Sequence, residues 1–415
     1  MVRVRRDIVR IAAVILLQVA VAVAHEKEGV TPTFSFNGFG TAGVVYSDED
    51  QADFVAGTLA PDGVGATRDW SAEVDSRLGL QLSSDITRSL SGVVQLVAEQ
   101  RYDDTYTPTV EWANLALDVT PDLSVRAGRM VLPSFMVSEY RKVGYANPWV
   151  RPPQEVYGIV PVSNTDGVQV SYRSRFDQFT NTLRASYGRN DFDLPGGGEG
   201  RARGGVTLVD TLEWGASTLF AQYSSVDLTL EQVNPLFNAF RQFGPPGDAI
   251  ADRYDVNDTR FEFISLGARY DPGDWFVMGE LAWLESRSFI GDRQGWYVTG
   301  GYRFGSITPY VTLAGADDHG NNSDPGLPPA GLPPPLAAMA ANLNTGLNQL
   351  LADSTEQKSI SAGARWDFAR NVALKVQVDY LDLDPGSGGV LVNEQPGFVP
   401  GGSVTLFSIA LDFVF

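Results

Sequence analysis

Segments of about ten residues in which apolar and polar side chains alternate run through the whole chain. A period of two means strands with two unlike faces. In residues 74–83, VDSRLGLQLS, Val74, Leu78, Leu80 and Leu82 share one face, while Asp75, Arg77, Gly79 and Gln81 share the other. In residues 371–380, NVALKVQVDY, Val372, Leu374, Val376, Val378 and Tyr380 oppose Lys375, Gln377 and Asp379. GVQVSYR (167–173), NTLRASYG (181–188), ISLGARY (264–270), GWYVTGGYRF (295–304) and SISAGARWDF (359–368) divide the same way. In the last segment, SVTLFSIALDFVF (403–415), Phe407, Ile409, Leu411, Phe413 and Phe415 stand opposite Asp412.

A soluble β-sandwich also alternates, so the connections decide. Short ones (84–89, 120–122, 174–178, 271–273, 305–306 and 369–371) alternate with long ones near 47–70, 131–164, 190–202, 226–259, 317–357 and 384–402. Briefer outer connections fall near 102–108 and 287–293. Tight turns at one end and long loops at the other are the pattern of a transmembrane β-barrel. The segments predict sixteen antiparallel strands, an even number that allows closure. Trp112, Trp214, Trp275, Trp283, Trp296, Trp366, Tyr270, Phe304 and Phe368 lie near strand ends, where interfacial girdles form.

The first 24 residues read as a signal peptide: a basic MVRVRRDIVR, the apolar IAAVILLQVAVAVA, and a small-x-small site at Ala22-Val23-Ala24. The apolar run falls short of the roughly 20 residues a spanning helix needs. Removing four Arg and one Asp leaves 27 basic and 49 acidic residues, net −22. Residues 25–415 are expected to form a single barrel domain in the Gram-negative outer membrane. The acidic balance argues against nucleic acid. With no Cys, disulfides, thiol nucleophiles and thiolate metal sites are excluded.

Four features together resemble the general porins, the trimeric sixteen-stranded channels of Gram-negative outer membranes. They are FSFNGFGTAGVVY (34–46), SRLGLQL (76–82), LSVRAGR (123–129) and the terminal Phe415. The resemblance implies passive diffusion of small hydrophilic solutes, a homotrimer among outer-membrane lipids and lipopolysaccharide, and a barrel-insertion machinery that reads Phe415. It also implies that loop 130–164 folds into the barrel as a constriction, with Arg77 where the family places a wall arginine.

Strand parity then supplies the lumen. Its basic members are Arg77, Arg126, Arg173, Arg184, Arg269, Arg303, Arg365 and Lys375. Its acidic members are Asp75, Glu99, Asp118, Glu280, Asp367, Asp379 and Asp412. Opposed charges on a wet wall orient and filter polar solutes. Loop 130–164 adds Glu139 and Glu155 but also Arg141, Lys142 and Arg151, so its net charge is +1. A constriction of that charge favours anions.

Outer loops carry the acidic runs SDEDQAD (47–53), DRYDVND (252–258) and ADDHG (316–320), oxygen-rich enough for Ca²⁺ but without EF-hand spacing, so no metal or other cofactor is expected. Residues 336–352, LAAMAANLNTGLNQLLA, predict a short helix after a Pro-rich stretch. Catalysis is not expected: the chain has two His, His25 and His319, and neither sits where strands would hold a triad. The competing reading is a non-conducting barrel that serves as adhesin, receptor or anchor. Loop 130–164 and the lumen arginines discriminate the two.

Overall fold

The computed structural model describes residues 32–320 and 322–415. The leader expected over 1–24, and His25, lie outside these residues. The alternating segments become strands β1 (Thr33–Ser47), β2 (Arg77–Asp85), β3 (Leu90–Glu99) and β4 (Thr109–Asp118). Next come β5 (Leu123–Val131), β6 (Asn164–Arg175), β7 (Phe179–Asp193) and β8 (Glu199–Trp214). Then follow β9 (Ser217–Leu230), β10 (Thr259–Tyr270), β11 (Trp275–Ser286) and β12 (Arg293–Tyr302). The wall ends with β13 (Ile307–Asp318), β14 (Gln357–Ala369), β15 (Val372–Leu383) and β16 (Gly402–Val414). Each pairs antiparallel with its sequence neighbours, and β1 pairs with β16 from Phe39↔Val414 to Ser47↔Leu406. The sheet is thus a closed sixteen-stranded barrel with no lipid-exposed edge.

Closure depends on the terminal aromatics. The Phe415 amide donates to the Gly38 carbonyl at 3.0 Å, and the Gly38 amide donates to the Phe415 carbonyl at 2.9 Å. The Phe415 ring covers Gly38, where an added Cβ would lie 2.2 Å from it.

At the turn end the outward face is a belt of exposed aliphatics bordered by aromatic pairs. Phe176 and Phe179 stack at 4.5 Å, with Tyr270–Trp275 at 5.3 Å, Tyr302–Phe304 at 4.6 Å and Trp366–Phe368 at 5.3 Å. Trp112 does not join them: it lies opposite Gln95 at a register shift between β3 and β4, and its indole nitrogen is buried. Val74 also leaves its expected lipid face. β2 starts only at Arg77, and Val74 is buried with Val45, Phe54 and Leu381 in a cluster inside the loop end.

Toward the loop end the polarity of the wall inverts. β7, β8 and β9 run 15, 16 and 14 residues, and a turn at 194–198 replaces the loop expected over 190–202. On this collar the outward residues are polar, with ion pairs Asp227–Arg260 at 2.6 Å and Arg203–Asp191 at 2.5 Å. The inward residues Phe261, Phe263 and Leu284 are buried, and Val226, Leu228 and Leu230 pack beside them. The physical reason is what lies on each side: water surrounds a wall that has risen past the hydrocarbon, and protein fills its inside.

Among the described residues four α-helices lie in the loops: α1 (Gln154–Tyr157), α2 (Asn234–Arg241), α3 (Pro245–Tyr254) and α4 (Pro334–Leu351), the last close to the helix expected over 336–352. Phe237, Phe240, Ile250, Tyr254, Leu347 and Leu351 join α2, α3 and α4 through a small core. Each such buried side chain contributes about 1.5–3 kcal/mol, enough to order the outer loops into a cap.

Candidate functional site

The connection between Val131 and Asn164, here the inner loop, turns inward and crosses the lumen. Its first stretch reaches β11, where the Met136 amide donates to Glu280 at 2.7 Å. Lys142 then bridges Glu99 of β3 at 2.5 Å and Glu111 of β4 at 2.9 Å. Burial opposes the Lys142 ammonium, but Glu111 and Glu99 outweigh it and hold the pKa above the ordinary lysine value. Gly144 lies flat against β1 and β16: an added Cβ would sit 2.1 Å from Asp412 Oδ1, so only glycine fits this close approach.

Beyond Gly144 the loop is fastened along one half of the wall. Arg365 of β14 donates to the Tyr145 carbonyl at 2.5 Å and the Asn147 carbonyl at 3.2 Å. Lys375 of β15 donates to the Gly144 carbonyl at 2.7 Å and the Trp149 carbonyl at 2.6 Å, and ion-pairs with Asp412 at 2.8 Å. The Trp149 indole donates to Thr299 of β12 at 2.9 Å and Thr312 of β13 at 3.1 Å. Arg151 pairs with Asp75 at 2.6 Å and Asp379 of β15 at 2.9 Å, and donates to Ser408 of β16 at 2.6 Å. In α1, Glu155 accepts from Gln357 at 2.8 Å and Ser359 at 2.5 Å. Burial raises the Glu155 pKa, and these hydrogen bonds work against that rise. Tyr157 donates to Glu280, which also accepts from Tyr297 at 2.8 Å.

Against β6–β9 the loop makes one ion pair, Glu139–Arg184 at 2.7 Å. Half of the Glu139 side chain stays exposed. The inner loop therefore packs on β10–β16 and β1, is tied to β3 and β4 through Glu99 and Glu111, and leaves its other side toward β6–β9.

This attachment sorts the residues read from the sequence. Arg126, Arg173 and Arg184 stand on adjacent strands β5, β6 and β7 and face inward on the unfilled side. Arg126 and Arg173 have no ion pair among the described residues. Arg77 lies 3.7 Å from Glu99, beside the Lys142 bridge. Arg365 carries the loop, as above. Arg269 and Arg303 converge on Asp271 at the turn end, at 2.5 and 2.7 Å.

Lys375, Asp379 and Glu155 are corrected from water-lined positions to buried anchors. Lys375 is fully buried, with Asp379 and Glu155 nearly so. The inner loop covers that half of the lumen and takes up their hydrogen bonds. The wall acid Glu111, which ties both Lys142 and Ser163 of the loop, was missed. Its only sequence signal was an acid in the mostly apolar VEWANLAL run, and the register shift beside it hid which way it points. The acidic runs considered for Ca²⁺ do not converge. Asp62, Glu73 and Asp104 do, but Arg68 sits among them, ion-paired with Glu73 and 3.8 Å from Asp62.

A closed sixteen-stranded barrel with an aromatic-bordered apolar belt, and a charged loop folded into its lumen, defines an outer-membrane channel of the porin class. A family profile described as Gram-negative porin matches residues 12–386, and the chain belongs to that family. A comparison with curated proteins finds no match. Among solved structures, the outer membrane channel DcaP of Acinetobacter baumannii superimposes with TM-score 0.54 at 13% identity, covering 94% of this chain and 99% of that one. OmpF of Salmonella typhi, solved with daunomycin, gives 0.53 at 16%, covering 92% and 97%. The anion-selective porin from Comamonas acidovorans gives 0.53 at 15%, covering 92% and 100%. At these identities the likeness is one of fold. With the family membership it makes the chain an outer-membrane porin.

Proposed function

We propose that small hydrophilic solutes cross in the sector between inner-loop residues 138–141 and the inward face of β5–β9. The observation that carries this is the one-sided fastening of the inner loop. Its buried bonds run to β10–β16, to Asp75 ahead of β2 and to Glu99 and Glu111 on β3 and β4, whereas toward β6–β9 it offers the half-exposed Glu139–Arg184 pair. The passage is anion-preferring. Arg126 and Arg173 meet the lumen without counter-charge, while the lumen acids Asp75, Asp379, Asp412, Glu99 and Glu280 are spent on the loop and its anchors. The chain works without catalysis and as a homotrimer. β2–β5 are only 9–10 residues long and present Leu80, Leu82, Val94, Leu96 and Leu115 outward, a low apolar wall suited to packing against a second copy.

Planar-bilayer recording tests this: stepwise conductance is expected, with a reversal potential in a salt gradient displaced toward the anion potential. A displacement toward the cation potential overturns the selectivity. Absence of conductance steps overturns the open passage and favours a non-conducting anchor.

A further inference from the structure

At the loop end, between the inner loop, the inward face of β6–β10 and the outer loops, lies a cavity of about 480 Å³. One flank is inner-loop Ile159, Val160 and Val162, and the opposite flank is Val226, Leu228 and Leu230 on β9. These six are half-buried, with part of each apolar surface turned to the cavity. On β9 the cause is the collar's inverted polarity: Asp227 and Thr229 point out, and the aliphatics between them point in.

Several polar groups around the cavity are already engaged with protein, although the Arg293 Nε finds no hydrogen bond. Thr207 and Ser224 share a hydrogen bond at 3.1 Å, Asn190 donates to the Asn164 carbonyl, and Thr165 donates to the Arg189 carbonyl at 3.3 Å. The charged residues that touch it balance, Arg189 and Arg293 against Glu155 and Asp353. A passage for sugars or ions gains nothing from such a lining. A partly open cleft of several hundred Å³, mainly apolar with a few polar groups at its border, is instead the form of a small-molecule site. With no net charge at its wall, it does not select ions.

We propose that this cavity binds uncharged, mainly apolar solutes that carry one polar group, with the apolar body between Ile159/Val160 and Val226/Leu228/Leu230. The proposal rests on the channel reading only for where the solute goes next, since binding does not require conduction.

The probe is 1-naphthol, titrated calorimetrically into the full chain in lipid nanodiscs with empty nanodiscs subtracted. Saturable binding of one molecule per chain is expected, and glucose gives none. Val226→Asn with Leu228→Asn should weaken binding by at least about tenfold, the equivalent of losing roughly two buried methylenes' worth of contact. Barrel integrity is read from the heat-modifiable electrophoretic mobility. If the double variant fails to fold, Ile159→Asn on the inner loop takes its place with the same expectation. No saturable binding by the parent chain overturns the proposal, as does unchanged affinity in a folded variant. Conductance is recorded separately: naphthol binding without conductance sinks the open passage alone, and conductance without naphthol binding sinks the cavity's role alone.

Discussion

The membrane belt and the collar above it are built by the same strands with opposite polarity. On β16, Phe407, Ile409 and Leu411 point outward and Asp412 and Ser408 inward; a few residues nearer the loops, Ser403 and Thr405 point outward and Val404 and Leu406 inward. β9 makes the same exchange between Gln222, inward in the belt, and Leu228, inward in the collar. Alternation therefore records which side of the wall is dry, and that side changes with height. In the belt the dry side is lipid. In the collar it is the protein's own interior, where the inner loop and the clusters around Phe263 and Leu381 replace water.

The largest expected effect comes from breaking the buried attachment beneath the collar. Arg151→Met leaves Asp75 and Asp379 buried without their counter-charge. Stranding a buried charge in this way costs about 3–5 kcal/mol. A lowered thermal unfolding midpoint is expected, together with larger and noisier conductance as the inner loop comes free.

The next effect contrasts the two outward faces directly. Ile409→Arg in the belt should destabilise the folded barrel by about 2–4 kcal/mol, and Ser403→Arg in the collar by under about 0.5 kcal/mol. Equal penalties, measured by urea unfolding in lipid vesicles, would place the collar inside the membrane. A smaller effect is expected at the passage. Glu139→Gln removes a half-exposed ion pair worth under about 1 kcal/mol, frees Arg184, and should move the reversal potential further toward the anion potential.

The smallest effect lies at the turn end. Hydrogen bonding from Arg303, aided by Arg269 against a modest burial cost, lowers the Asp271 carboxyl to about 2. Because the folded value is depressed, this contribution is complete above the ordinary Asp value of about 3.9 and is lost as pH falls through about 2. The difference in unfolding midpoint between the parent chain and Asp271→Asn should therefore be constant at neutral pH, shrink below about pH 4 and close as pH falls through about 2.

The barrel was legible in the sequence because lipid enforces alternation over a full strand. NVALKVQVDY and SVTLFSIALDFVF show the correct outward sets, and the turn positions gave the strand count. Alternation also placed Arg126, Arg173 and Arg184 on the inward face. It gave no measure of what else occupies the lumen. Lys375 and Asp379 have the pattern of wet residues but are buried, because their partners come from Gly144, Trp149 and Arg151, more than two hundred residues away in sequence. The collar was missed differently: residues 199–202 and 226–230 were expected in the long connections 190–202 and 226–259, but they continue β8 and β9 above the belt. Leu228, Asp227 and Thr229 alternate as cleanly as any belt residues, but there the aliphatic side faces inward.

The central claim, that solutes pass on the arginine side while the inner loop fills the other, can be tested with single thiols, since the chain has no Cys of its own. Ser171→Cys on β6, paired with Arg184, and Ser408→Cys on β16, beneath Arg151, are nearly isosteric changes on the two sides. A negatively charged methanethiosulfonate reagent is added during single-channel recording. The predicted result is a prompt fall in conductance for Ser171→Cys and no change for Ser408→Cys. A fall at Ser408→Cys with none at Ser171→Cys would contradict the account.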